Sequence, residues 1–469
     1  MNQMTKVLTD EVKEDKKITE LLVENGLVFT GDGFQEMTIR IVEDKIAELI
    51  EGEAGPILET KENMIDASGC LVVPGFIDAH VHFNDPGRTE WEGIETGSRA
   101  AAMGGTTTIF DMPLNCSPST INLENLLNKK EYLTSLSHID YALWGGMTAT
   151  NLHNRQELTQ MSEGVIAWKS FMSESGIDDF QHLSPEDLKE AMQAAKEHEK
   201  ILALHAEWEQ DIVKLTAINK QHPWRNERIA YLASRPILAE ERAVSYALEL
   251  AAKYGTALHF VHISSPKVIG LIEEAKKSGV NVTVETCPHY LIFDEGDFLR
   301  EGAILKCAPP LRPRKEVEGL WECMASGMID TIGSDHSPCL YSMKETNSIW
   351  DAWGGIQGVQ FTWLTMLDEA LKRKIPLKQI LPLGTSNVAD RFRIAGRKGR
   401  ISPGLDADLV FISLDETTVA SKESFGFRNV YSPYEGRVFS TRVKKTMLRG
   451  KVIYVDQNGV TNEKMGVCL

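Results

Sequence analysis

Several protein classes are excluded by what this chain lacks. Its seven cysteines (Cys70, Cys116, Cys287, Cys307, Cys323, Cys339 and Cys468) are odd in number and scattered, with no CxxC pair. That argues against a disulfide framework and for reduced thiols in a cytoplasmic protein. No stretch approaches the roughly 20 consecutive apolar residues that a membrane span needs. The opening MNQMTKVLTDEVKEDKKITE is charged and holds no apolar signal core. No export is therefore expected, and residues 1–17 read as a solvated leader. Basic residues are in deficit: 50 Lys and Arg against 67 Asp and Glu, a formal net charge of −17. Nucleic acid and anionic membrane surfaces select basic patches, so neither is expected as a partner. Low-complexity segments and internal repeats are missing too.

What is present is an ordinary globular composition, 42% hydrophobic and 25% charged, over 469 residues. That length suits two domains, or one large barrel with an accessory layer. Both ends of the chain are β-rich. ITELLVENGLVFT, the hairpin-like EMTIRIVEDKIAELIEG and SGCLVVPGF lie at the start. DADLVFISL and RVKKTMLRGKVIYVDQNG lie at the end. The spacing predicts one small β-sandwich domain from residues 18–73 and 396–469, with residues 74–395 inserted as a larger unit.

The insert alternates strand-like and helix-like runs. Eight strand candidates stand out: GFIDAHVHF, GTTTIFDMP, IDYALWGGM, GVIAWKSFM, ILALHAE, ALHFVHISS, NVTVETCPHY and IDTIGSDHSP. Helical patterns lie between them, one opening at the N-cap signal Ser184 with Glu186 in its first turn, another closing at Gly255. Eight β/α repeats in about 320 residues predict a (β/α)8 barrel of the α/β class.

Active sites of such barrels lie at the C-terminal strand ends. The run from Val72 to Ala79 reads as a buried strand, and His80 and His82 leave its end two apart, pointing the same way. The fourth candidate carries Lys169, the fifth His205, the sixth His262 and the eighth Asp335. Each has an ordinary explanation alone: a packed histidine, a surface lysine, an aspartate capping a helix. Six such groups at one mouth do not share one. Imidazoles and a carboxylate suit borderline divalent ions such as zinc. A lysine held among cations would be pushed to its neutral amine, which can add CO2 and become a bridging carbamate.

The order HxH…K…H…H…D on eight β/α units, with VVPGFIDAHVH leading in and GRISPGLDADLVFI leading out, resembles the amidohydrolase superfamily over nearly the whole chain. The branch is that of the cyclic amides: dihydroorotases, dihydropyrimidinases (hydantoinases) and allantoinases. The resemblance implies two divalent ions. His80, His82 and Asp335 would hold one, His205 and His262 the other, with carbamylated Lys169 between them. It also implies a bridging hydroxide as nucleophile, Asp335 as the catalytic proton carrier, and a homotetramer.

Within the branch, HFNDPGRTEWEG, DMPLNCSPST, SGIDDF and KCAPPLR look most like allantoinases, which open the hydantoin ring of allantoin to give allantoate in purine catabolism. Dihydroorotases usually carry Arg two positions after the second histidine, where this chain has Asn84, and neutral Asn does not replace a bidentate carboxylate grip. Hydantoinases commonly carry Tyr a few residues after the lysine, where this chain has Ser173, Glu174 and Ser175. Both remain alternatives. So does a non-catalytic dihydropyrimidinase-like scaffold, although such scaffolds lack the metal ligands retained here. Asn84, Asn115 and Ser337 are the candidate substrate contacts. Asn84 and Asp85 could instead be turn residues, Ser337 a helix cap, and Arg88 a surface partner of Glu90 or Glu92. Trp168 faces the other side of its strand and reads as packing. His336 faces away from Asp335, with a role behind the ligands open to it.

Overall fold

The computed structural model describes residues 20–52, 63–222 and 226–469; the proposed leader, 1–17, lies outside them. The chain opens with β1 (Glu20–Phe29), β2 (Phe34–Val42) and β3 (Lys45–Glu51), an antiparallel series. The EDK turn forms with Glu43 at φ 57. β4 (Met64–Asp66) and β5 (Cys70–Pro74) then pair in parallel with β1. Alternating apolar residues put Val23, Ile39, Ile41 and Ile46 into one core with Val72, Leu409 and Phe411.

The run VVPGFIDA does not form one strand. β5 belongs to the small sheet, whereas β6 (Phe76–Val81) opens a second one. The break is at Gly75, where a Cβ would meet the Thr107 side chain at 2.2 Å. Both strands are buried on both faces, so apolar pattern alone could not separate them.

From β6 the chain runs through β7 (Thr106–Asp111), β8 (Asp140–Leu143), β9 (Gly145–Gly146), β10 (Trp168–Phe171), β11 (Leu202–His205), β12 (Leu258–Phe260), β13 (Val282–Thr286) and β14 (Thr331–Ile332). All pair in parallel with their neighbours, as β6-β7-β8 and as β9 through β14. Only Trp144 separates β8 from β9, its indole donating to the Ala79 carbonyl at 2.9 Å. A parallel bridge between Val81 and His336 returns the series to its first strand. Each of the eight candidate segments thus contributes one strand, β8 and β9 sharing the third. Helices fill the crossovers. That from Pro185 to Glu197 is capped by Ser184, with Asp187 rather than Glu186 completing the capping box. That from Ile237 to Tyr254 ends on Gly255 at φ 69, the left-handed conformation that glycine adopts without strain.

The C-terminal strands return to the small sheet. β15 (Leu409–Ser413) pairs antiparallel with β5. A short separate hairpin follows, β16 (Thr418–Val419) with β17 (Val438–Phe439). β18 (Arg442–Leu448), β19 (Lys451–Val455) and β20 (Gly459–Val460) complete the edge. The two terminal pieces join in one hydrogen-bonded nine-stranded sheet, in which β5 and β15 lie side by side.

Two features fasten this sheet to the parallel strands. The buried Lys398 nitrogen stands 2.6 Å from Asp140 of β8 and 2.6 Å from Asp408. The end of the chain also pairs along β8, with Leu469 N–H donating to the Tyr141 carbonyl at 2.9 Å.

Candidate metal centre and active site

Five of the six residues predicted at the strand ends, His80, His82, His205, His262 and Asp335, line one cavity of about 400 Å³, and Lys169 lies behind the lining. His80 and His82, two apart, both face Asp335: their Nε2 atoms lie 3.2 and 3.4 Å from its Oδ1. Potential ligand atoms of these three side chains all lie within 4.8 Å of one another. Across the site, His205 Nδ1 and His262 Nε2 approach to 3.1 Å. The rings of His80 and His262, 5.4 Å apart, connect the two groups.

Buried carboxylates hold two of the four imidazoles, His80 and His205, from behind. Glu285, on β13, meets His80 Nδ1 at 2.7 Å and accepts from the His262 backbone N–H at 3.3 Å. Glu207 meets His205 Nε2 at 2.9 Å and is ion-paired with Arg235. Such partners fix which imidazole nitrogen faces the site. Burial would raise the Glu285 carboxyl, but His80 and His259 pull it down to about 2. Burial would likewise raise the Glu207 carboxyl, but Arg235 and His205 outweigh it and bring it down to about 2. Both are anions at neutral pH. Burial also lowers His205 and His262, so these imidazoles are neutral, the form that binds a cation.

Lys169 is fully buried on β10, and its Nζ has no hydrogen-bond partner among the described residues. The ring of Phe171, which stacks on His205, lies 4.9 Å away. Burial lowers the ammonium to about 8 against the pull of Asp335 and Glu285. An unsatisfied buried ammonium costs several kcal/mol, about the penalty for any uncompensated buried charge. Conversion to an anion among metal ions would remove it. The donor set therefore fits a pair of divalent ions.

Backbone conformation supports the same position. Asp335 and His262 adopt φ 46 and 43, and Asn84 and Asn115 both φ 68. Non-glycine residues hold such angles at roughly 1–3 kcal/mol each, and they cluster at functional sites.

The candidate substrate contacts divide. Asn115 and Ser337 line the cavity and meet at 3.4 Å, Nδ2 to Oγ. Asn84 is buried outside the cavity lining, its amide donating to the Pro338 carbonyl at 3.4 Å. Ser337 caps no helix; its N–H donates to the Ile356 carbonyl. Arg88 does not pair with Glu90 or Glu92: it donates to the Asn115 carbonyl at 2.9 Å and so holds that loop. Trp168 is core, and the His336 Nδ1 accepts from the Gly358 N–H at 3.1 Å. Asp85 serves as a turn residue, accepting from the Ile94 N–H at 2.7 Å.

Glu285, Glu207 and Arg235 were missed. Glu285 lies inside the seventh strand candidate, one residue before the end of β13, so asking which polar residues stand near each strand's end would have found it. Glu207 closes the fifth strand candidate, ILALHAE, and the same question would have found it, whereas Arg235, between two helices, carries no comparable signal. The cavity wall from Trp350 to Gly355 was missed as well.

Residues 71–453 match the amidohydrolase family. The chain belongs to it. Among curated relatives it is 41% identical over 437 residues to an allantoinase of Bacillus velezensis, spanning 93% of this chain and 94% of that protein. It is 42% identical to an allantoinase of Deinococcus radiodurans, over 94% and 96%. Among solved structures, the L-hydantoinase of Arthrobacter aurescens superposes with a TM-score of 0.91 at 31% identity, over 96% of this chain and 99% of that one. A dihydropyrimidinase of Brevibacillus agri gives 0.88 at 27% identity, over 96% and 98%. The mixed α/β fold is thus that of the hydantoinase structures. Among the described residues, no helix is long and apolar enough to cross a membrane.

Proposed function

We propose that this enzyme hydrolyses the ring amide of allantoin to give allantoate, within purine-derived nitrogen catabolism. The observation that carries the reading is the convergence of His80, His82, His205, His262 and Asp335 on one cavity, with the unpartnered Lys169 amine buried beside Phe171, which stacks on His205, in a chain 41% identical to an allantoinase over 93% of its length. On this reading the eight parallel strands and their helices, residues 74–395, are a (β/α)8 barrel. Residues 18–73 and 396–469 form its companion β domain. The active form is a cytoplasmic homotetramer.

His80, His82 and Asp335 would hold one divalent ion, His205 and His262 a second, with carbamylated Lys169 shared; zinc suits the donors. Bound ions supply Lewis acidity toward a carbonyl and toward water, which makes hydroxide available near neutral pH. The chain supplies the rest. Asp335 takes the proton from the attacking water and delivers it to the leaving ring nitrogen, acting first as base and then as acid. Its pKa suits that start: burial would raise it, but His80 and His82 keep it well below the ordinary carboxylate range. Asn115 and Ser337 hold the ring's polar edge. Likeness to the Arthrobacter hydantoinase favours hydantoin opening as the second reading, with the same residues in the same roles.

The test is removal and return of metal. Chelation should abolish allantoate formation, and zinc should restore it at two ions per chain. Full activity in metal-free protein would overturn the reading.

A further inference from the structure

One wall of the cavity is built unlike the others. Residues Trp350, Asp351, Ala352, Trp353, Gly354 and Gly355 all line it. This loop has no regular hydrogen bonding of its own, and two buried lysines take up its carbonyls. Lys306 Nζ donates to the carbonyls of Ala352 at 2.5 Å and Trp350 at 3.3 Å. Lys344 Nζ donates to those of Trp353 at 2.8 Å and Gly355 at 2.7 Å. Each lysine is only 7% exposed, and neither has a carboxylate ion-pair partner among the described residues.

The two differ in one respect. Lys306 lines the cavity and Lys344 does not. An ammonium has three N–H donors. At Lys306 two go to the loop, and the third has no protein acceptor among the described residues. The other cation on the lining, Arg235, is already ion-paired with Glu207. Burial, followed by repulsion from Lys344, lowers the Lys306 ammonium to about 7. Asp351 attracts this ammonium without pairing with it, and the Tyr231 ring lies 5.0 Å from its nitrogen, so a ligand acceptor reaching it from the cavity would supply the direct charge-assisted hydrogen bond that no protein carboxylate makes.

Resting on allantoin as the substrate, we propose that Lys306 is a specificity-determining residue whose ammonium donates to the oxygen of the substrate's ureido substituent. The histidines hold the reacting amide. Lys306 and the loop it fastens hold the part of the molecule that does not react. Lys344 is a positioning residue, acting on the loop from outside the cavity.

The test compares two substrates on holoenzyme of wild type, Lys306→Met and Lys344→Met. Allantoin is one. The other is 5-isobutylhydantoin, which keeps the ring and the outline but has CH groups in place of the ureido N–H and C=O. Turnover is measured, or inhibition where turnover is slow. In Lys306→Met, kcat/KM for allantoin should fall about tenfold or more, mainly through KM. The isobutyl compound should change less than about twofold. Lys344→Met should lower both alike. An equal fall for both substrates in Lys306→Met, or no fall, overturns the contact and leaves Lys306 as a loop fastener. Should Lys306→Met not fold, the wild type still decides: equal handling of allantoin and the isobutyl compound overturns the inference. Wild-type inactivity on allantoin brings down the substrate reading instead, and this inference with it.

Discussion

The two sides of the cavity are made differently. At the metal side, each group is a side chain at or near the end of a parallel strand, and two of the histidines, His80 and His205, are backed by the buried carboxylates Glu285 and Glu207. At the other side, the wall is loop backbone, and lysines hold it by its carbonyls. The first arrangement fixes atoms to the hydrogen-bonded frame, which suits chemistry that tolerates little displacement. The second can be remodelled by changing a few loop residues without disturbing the frame, which suits selection among related rings.

Breaking the metal side should cost most. Lys169→Ala should abolish activity and lower metal content, and short carboxylic acids should restore part of both. Normal metal content in that variant would remove lysine from the ligand set. Asp335→Asn should reduce kcat about 10²–10⁴-fold with a smaller change in KM, the range for losing a general acid–base group. A change confined to KM would make Asp335 a binding group. Glu285→Gln, which loosens His80 without removing a ligand, should weaken metal affinity by about 10–100-fold. Titration of metal into chelated protein reads that value.

The junction between the two sheets offers a contrast of another kind. Lys398→Met leaves Asp408 buried without an ion-pair partner among the described residues and takes one cation each from Asp140, which keeps Arg449, and Asp406, which keeps Lys45 and Arg397. Loss of one partner from a buried ion pair destabilises by about 3–5 kcal/mol. Denaturant unfolding should show that loss. The ratio of kcat/KM values between substrates should stay unchanged in the folded fraction. A shifted ratio would mean that the companion sheet shapes the cavity after all.

The same division explains what the sequence could disclose. Strand-end residues announce themselves: an apolar run gives the strand, and a polar group at its end gives the site. His80, His82, Lys169, His205, His262 and Asp335 were legible for that reason. Glu285 obeyed the same rule and was overlooked. Lys306 and Lys344 could not be found so. Nothing in KCAPPLR or YSMKETN states that two lysines 38 residues apart serve one loop. Asn84 shows what spacing leaves open: it stands two positions after the second histidine, and its side-chain amide turns to Pro338. The junction at Gly75 was hidden because two buried strands from different sheets follow each other without a polar break.

The most direct measurement is a substrate panel on zinc-loaded enzyme: allantoin, hydantoin, dihydrouracil and dihydroorotate. The account predicts the highest kcat/KM for allantoin, by about tenfold or more over the others. A higher value for hydantoin or dihydroorotate would contradict it, leaving the metal side as described and the reading of the opposite wall wrong.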